Sequence, residues 1–446
     1  ENQTDGSFDI ENNYVEAALH TGIWILNSKN TLPAKYNIKN NEVANAGTVA
    51  NASGGYGLRI LTSSNVLVEG NLVKSARLVG IELSNNAGGI QIRQNTIERG
   101  GSWGLIRLLN SSNNTLELNK IIDGQGSNSP GILQRSNSTG NRLSENQFRG
   151  NAGNAIDNTP SDSPNGVTIS SACQVNGTQL GRPVLASAIL VDNTLRLSGS
   201  YCATGTFRLE VYKVAPGTAG DIGTDGLQAG EGGTFLGALT GLSGGVLDGT
   251  LTLSPGDLVA GTDHVTAILI RETAEGGAVG DTSEFSANAL AVSVPFVTIA
   301  KVSVGGVGRF GFAGAAANAN GFPADGSYAV ETITPGEAVE GASVPLAAAD
   351  VETRIVEAIP AGWVLESARC EDRRAAATGN PAGQVIGSVS DGKTLVIPAG
   401  NARAGADLLC TFTNRFKGFA VEGRVILDNG WGGGTAHDGG QNGAEE

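Results

Sequence analysis

The first third of the chain repeats one arrangement of apolar and polar positions. An apolar residue, two variable residues, an asparagine, one variable residue and a second apolar residue recur. The copies are Ile10/Asn13/Val15, Ile38/Asn41/Val43, Val68/Asn71/Val73, Ile92/Asn95/Ile97, Leu116/Asn119/Ile121 and Leu143/Asn146/Phe148. Their asparagines are 28, 30, 24, 24 and 27 residues apart. A glycine before apolar residues runs in step at Gly22, Gly57, Gly80, Gly104 and Gly131, and Ala155 stands where a sixth copy is due. The apolar runs are short and β-branched, without the 3.6-residue period of an amphipathic helix.

A fixed period of this size is the signature of a solenoid. Two or three short strands per coil predict a parallel β-helix, each coil stacked about 4.8 Å above the last. Asparagine is otherwise disfavoured in strands, because its amide competes for backbone hydrogen bonds. Recurring at one place in every coil, Asn13, Asn41, Asn71, Asn95, Asn119 and Asn146 are instead expected to form a ladder at a corner, amide on amide. The column two residues before them reads Glu11, Lys39, Glu69, Arg93, Glu117, Ser144. Its signs alternate, as in a surface ion ladder.

The period ends near Ile156, and "DNTPSDSPNG" (157–166) reads as a linker. Alternating strands such as "TLRLSGSYC" and "TFRLEVYKV" follow to about residue 293, separated by Gly, Asp and Pro turns. They predict an immunoglobulin-like sandwich, with "GDTSEFSANALAV" (280–292) resembling its closing strand. The domain plan is thus a right-handed parallel β-helix over 1–160, an Ig-like sandwich over 167–293, a third module over 296–416 and a tail over 417–446.

Composition fits an all-β, loop-rich protein of about three domains: 66 glycines in 446 residues, 5% aromatic, 16% charged. The net charge of −14 argues against nucleic-acid binding. No apolar run is long enough to predict a membrane span. The sequence holds no methionine and starts in polar residues without a signal peptide, which reads as a processed or excised piece of something longer. Four cysteines allow three pairings. Local pairing, Cys173 with Cys202 and Cys370 with Cys410, is expected, and it implies an oxidising compartment.

In the third module "VTIAKVSVGG", "IVEAIPAGWVLESARC" and "LLCTFTN" resemble the first strand, the Glu-Pro-Gly-aromatic segment and the last strand of prealbumin-like, collagen-adhesin B-type domains of bacterial surface proteins and pilins. That resemblance implies a second β-sandwich. It also implies an isopeptide bond between Lys301 and Asn414, assisted by Glu357. The tail strand "FAVEGRVILDNG" resembles the opening of a further B-type domain and is a candidate strand donor.

The resulting expectation is an extracellular structural protein of a bacterial cell surface, a subunit of a fibre or sheath that self-associates through its C-terminal strand. A monomeric stalk fragment of a large adhesin is the structural alternative. A β-helix polysaccharide lyase or hydrolase would need clustered carboxylates, and a carbohydrate-binding module exposed aromatics on one face, for which the helix offers Trp24 and Trp103. A surface glycan or host ligand is a possible partner. No catalytic residue, cofactor or metal is expected, since His20, His264 and His437 lie far apart without ligand spacing.

Overall fold

A computed structural model describes residues 7–29, 36–48, 54–85, 88–126, 129–135, 137–159, 180–215, 221–222, 228–315 and 320–418. The chain is all-β: helix among these residues is limited to Ala375–Thr378 and the 3-10 turn Ala399–Asn401. It divides into two compact units, Glu1–Ser293 and Val294–Glu446.

In the first unit, three six-stranded parallel sheets each take one short strand per coil. The first sheet runs from Phe8–Glu11 through Gln91–Arg93 to Arg142–Ser144. The second runs from Tyr14–Glu16 through Thr96–Glu98 to Gln147–Arg149, and the third from Thr21–Leu26 to Ile156–Thr159. Alternation sends Ile38, Val68, Ile92, Leu116 and Leu143 into a closed core as one column, and Val43, Val73, Ile97, Ile121 and Phe148 as the next. Between the first and second sheets every coil turns through a left-handed residue: Asn12, Asn40, Gly70, Gln94, Leu118 or Glu145. The ladder asparagine follows each of them.

The recurring glycine marks a close approach. A Cβ at Gly22, Gly57 or Gly80 would lie 2.3, 2.3 and 2.4 Å from the core side chains Val43, Val73 and Ile97. The fourth coil departs from the expected spacing. Ile81 pairs with Ile106, so Leu105, not Gly104, occupies the glycine column there. The turn before it is one residue longer.

The last coil does not end on solvent. Beneath it lie strands Phe207–Val214 and His264–Arg271 of a seven-stranded sheet system that also contains Val184–Val191, Thr194–Ser200, Gly232–Leu242, Val246–Thr252 and Ala289–Val292. Phe285 and Tyr212 extend the solenoid's apolar column, Phe285 meeting Phe148 edge-on at 5.6 Å. Four acidic side chains then accept hydrogen bonds that another coil's carbonyls would otherwise take. Gly140 N donates to Asp281 Oδ1 (2.7 Å) and Glu145 N to Glu210 Oε2 (2.8 Å), while Asn151 N and Asn158 N donate to Glu231 Oε1 and Glu284 Oε1 (both 2.9 Å). Each of the three sheet edges receives at least one such carboxylate.

Two local expectations change accordingly. The segment read as linker begins inside strand Ile156–Thr159, the last strand of the third sheet. Within "GDTSEFSANALAV" only Ala289–Val292 is a strand, because Asp281, Thr282, Glu284 and Phe285 are spent on closing the solenoid.

The second unit is a sandwich of two five-stranded sheets. In one, Phe296–Val304 lies between Ala338–Glu340 and Asp407–Phe416, running parallel to the latter, and Trp363–Asp372 pairs on its far side. In the other, Arg309–Gly314 and Thr353–Ala358 are neighbours. Phe310, Phe312, Phe412, Ile355 and Leu408 fill the space between them. The tail strand "FAVEGRVILDNG" lies outside the described residues.

Candidate functional site

Strand alternation in Phe296–Val304 turns Val297, Ile299, Lys301 and Ser303 toward the sandwich interior, all fully buried. In Asp407–Phe416 the inward row is Leu408, Cys410, Phe412 and Asn414. Parallel pairing sets Lys301 opposite Phe412 and Ser303 opposite Asn414, so the lysine and asparagine are diagonal neighbours on one face. Glu357 comes from the facing sheet, where it occupies the inward row of Thr353–Ala358.

The three side chains meet without solvent. Lys301 Nζ donates to Asn414 Oδ1 at 2.7 Å, to Phe412 O at 2.9 Å and to Val302 O at 3.1 Å, and lies 3.4 Å from Glu357 Oε1. Phe310 places its ring face 4.3 Å from the same nitrogen. Neither Glu357 oxygen nor Asn414 Nδ2 has a well-formed hydrogen bond. Burial pulls the Lys301 ammonium down to about 8, against the opposing pull of Glu357. Burial likewise pushes the Glu357 carboxyl up, against Lys301 and Asn414. Both shifts have the same cause: an apolar enclosure penalises the charged forms.

Once Lys301 gives up a proton, an amine in contact with a carboxamide, beside a carboxyl that can hold a proton, has what amide exchange requires. Lys301 Nζ would bond to Asn414 Cγ, the Cγ–Nδ2 bond would break, and the departing nitrogen would leave as ammonia with protons relayed by Glu357. No cofactor or metal enters that balance.

Cys370 and Cys410 stand directly opposite each other on Trp363–Asp372 and Asp407–Phe416 and are joined by a disulfide. Cys202 is disulfide-bonded as well, and its expected partner Cys173 lies outside the described residues. In the solenoid, each ladder amide from Asn13 to Asn119 donates to the Oδ1 of the next asparagine at 2.9–3.0 Å. That same Oδ1 accepts the preceding asparagine's backbone N–H. A shorter second ladder, Ile90 N to Asn114 and Asn114 to Asn141, was not read from the sequence, because it lacks a full column of repeats. Equally unread were Phe310, Glu210, Glu231, Asp281 and Glu284. The segment "TFRLEVYKV" carries no signal of this role, because its Arg208, Glu210 and Tyr212 side reads as the solvent face of an ordinary alternating strand.

Comparison with known proteins adds the following. Residues 297–416 match the prealbumin-like fold domain family, and residues 21–194 match the right-handed beta helix region family. No curated protein matches the chain. Among solved structures, the enzymatically active domain of tailspike protein 2 from bacteriophage CBA120 is 16% identical with a TM-score of 0.25, over 60% of this chain and 48% of that one. The chain thus spans about half of that tailspike's length. A Mobiluncus mulieris adhesin with intramolecular disulfide, isopeptide and ester cross-links is 12% identical with a TM-score of 0.20, over 53% of this chain and 99% of its own. A major pilin of Streptococcus pyogenes is 12% identical with a TM-score of 0.18, over 53% and 99%. At these scores none of the three speaks for function. What the family matches establish is a polypeptide that carries a right-handed β-helix region and a prealbumin-like domain in one chain.

Proposed function

We propose that this protein is a load-bearing, non-catalytic component of a bacterial cell surface, a fibre or sheath subunit, whose prealbumin-like domain closes a Lys301–Asn414 isopeptide bond. The observation that carries the reading is the buried contact of Lys301, Asn414 and Glu357 between two sheets. A buried ion-pairing triad of this kind is a weak stabiliser as long as it remains charged. It becomes useful once amide exchange removes both charges and ties the domain's first strand to its last. The neighbouring Cys370–Cys410 bridge ties that last strand to a third, so tension entering at either end of the domain would meet a covalent bond.

A mechanical role also accords with the solenoid's surface. Lys39 and Arg93 both reach Glu69 across adjacent coils, at 3.4 and 2.7 Å. Charges are cancelled along the column instead of gathered into a paired-carboxylate site. Self-association is assigned to the tail strand "FAVEGRVILDNG". Negative-stain electron microscopy of the natively purified protein, beside a chain truncated after Phe416, tests the assembly. Filaments from the full chain that vanish on truncation are expected. Isolated short rods from the full chain would replace the fibre subunit by an adhesin stalk, and filaments from both would remove the strand from the joint.

A further inference from the structure

Trp24, on the third solenoid sheet, and Trp103, in the turn before strand Ile106–Leu109 of that sheet, are 79 residues apart in sequence but flank one column of side chains. Pairing sets Trp24 beside Arg59, Arg59 beside Glu82 and Glu82 beside Arg107, so four consecutive coils contribute one column. Arg59 Nε donates to Glu82 Oε1 at 2.8 Å, and Arg107 holds the other oxygen of the same carboxylate. Each arginine also lies near an indole, Arg59 5.7 Å from the Trp24 ring and Arg107 4.8 Å from the Trp103 ring, and Arg59 is closer still, at 4.5 Å, to the ring of Tyr56. The column is therefore an arginine–glutamate–arginine triad flanked by two tryptophans. Three coil steps separate its ends, roughly 14 Å.

Shielding the triad explains part of this arrangement, since Glu82 is wholly buried. It leaves unexplained why the indoles remain 52% and 40% exposed in a chain that holds four tryptophans in all. An indole stacked on a guanidinium is fixed in orientation, with its opposite face free for another ring or a row of C–H groups. The triad sums to one positive charge, and of its arginines Arg59 is the one that reaches solvent, 23% exposed against 8% for Arg107. In a chain of net charge −14 this combination selects a ligand with apolar ring faces and a negative substituent.

We propose that the Trp24–Arg59–Glu82–Arg107–Trp103 column is a binding platform for an acidic oligosaccharide, its sugar rings on the two indoles and its carboxylate or phosphate beside Arg59. The proposal rests on the solenoid alone, so it stands or falls independently of the Lys301–Asn414 bond.

The full chain is to be applied to an array of uronate-, sialate- and phosphate-bearing glycans with neutral glycans of matched length. Any hit is then titrated by tryptophan fluorescence. Binding confined to acidic glycans, weakening as salt rises, is expected. Trp24→Ala and Trp103→Ala should each weaken it by roughly tenfold, the loss of one stacking ring. Trp24→Tyr keeps a ring there and should retain most of the affinity, which separates stacking from a folding defect. Tyr14→Ala, on the second sheet and 59% exposed, should change nothing. No acidic glycan bound, equal binding of neutral ones, or full affinity in both alanine variants would overturn the platform.

Discussion

A single ladder asparagine satisfies several groups at once. Asn95 Oδ1 accepts from Asn71 Nδ2 and Asn71 N, while its own amide donates to Asn119, to Val68 O and to Arg93 O. All of this is buried in mid-solenoid, so Asn95→Ala strands several polar groups at about 1–3 kcal/mol each. A loss of at least about 3 kcal/mol in denaturant unfolding is expected. Asn13→Ala, at the exposed first coil, should cost about 1 kcal/mol or less. Equal costs at the two sites would mean that the ladder does not act through burial. The ladder was legible because a buried amide column demands one residue type at one spacing. The corner beside it was not, since left-handed backbone there is carried by Asn, Gly, Gln, Leu and Glu alike. Repetition of backbone shape leaves no residue signature when tertiary packing enforces it.

At the scale of elements, the closed end of the solenoid is where sequence reading stopped short. Short strands and their order followed from alternation and turn residues, which act locally. The carboxylate cap joins Gly140 to Asp281 and Glu145 to Glu210, partners brought together only by the finished fold. Lys301, Asn414 and Glu357 were placed by family resemblance, whereas their aromatic enclosure was not legible. The cap has a measurable cost and benefit. Glu210 accepts from Ser144 Oγ, Glu145 N, Tyr212 Oη and Arg208 Nε while fully buried. Glu210→Ala should therefore lower the stability of the first unit by about 3 kcal/mol or more. Glu231 is the opposite case. Burial raises its carboxyl pKa despite the pull of Asn151 and Gly150, and one of its oxygens has no partner. A raised carboxyl binds its proton more tightly folded than unfolded, so its contribution falls as pH climbs from the ordinary value of 4.5 through the raised one. Glu231→Gln, which keeps an acceptor without the charge, should match or exceed the wild type at neutral pH. That difference should shrink as the solution is acidified. A constant deficit at every pH would show that the ionised carboxylate is itself the needed group.

As a whole, the molecule consists of two units that resist disruption by different means. In the first, stacked coils bury their cores and amides and end on a sandwich whose acidic side chains complete the last coil. In the second, strands that begin and end the domain are poised for a covalent tie. Neither device needs a ligand, which suits a surface scaffold, and the Trp24–Trp103 platform would give that scaffold something to hold.

The most direct test of that account is the intact mass of the reduced protein, followed by sequencing of cross-linked peptides after digestion. A mass lower than the sequence mass by one ammonia, and a branched peptide joining Lys301 to Asn414, are expected. Lys301→Ala, Asn414→Ala and Glu357→Ala should each restore the full sequence mass. In refolded protein the bond should form slowest in acid, where Lys301 keeps its proton, and faster as the pH approaches about 8. An unmodified mass for the wild type, with separate Lys301 and Asn414 peptides after prolonged incubation at neutral pH, would contradict the central claim and leave the triad as a buried ion pair.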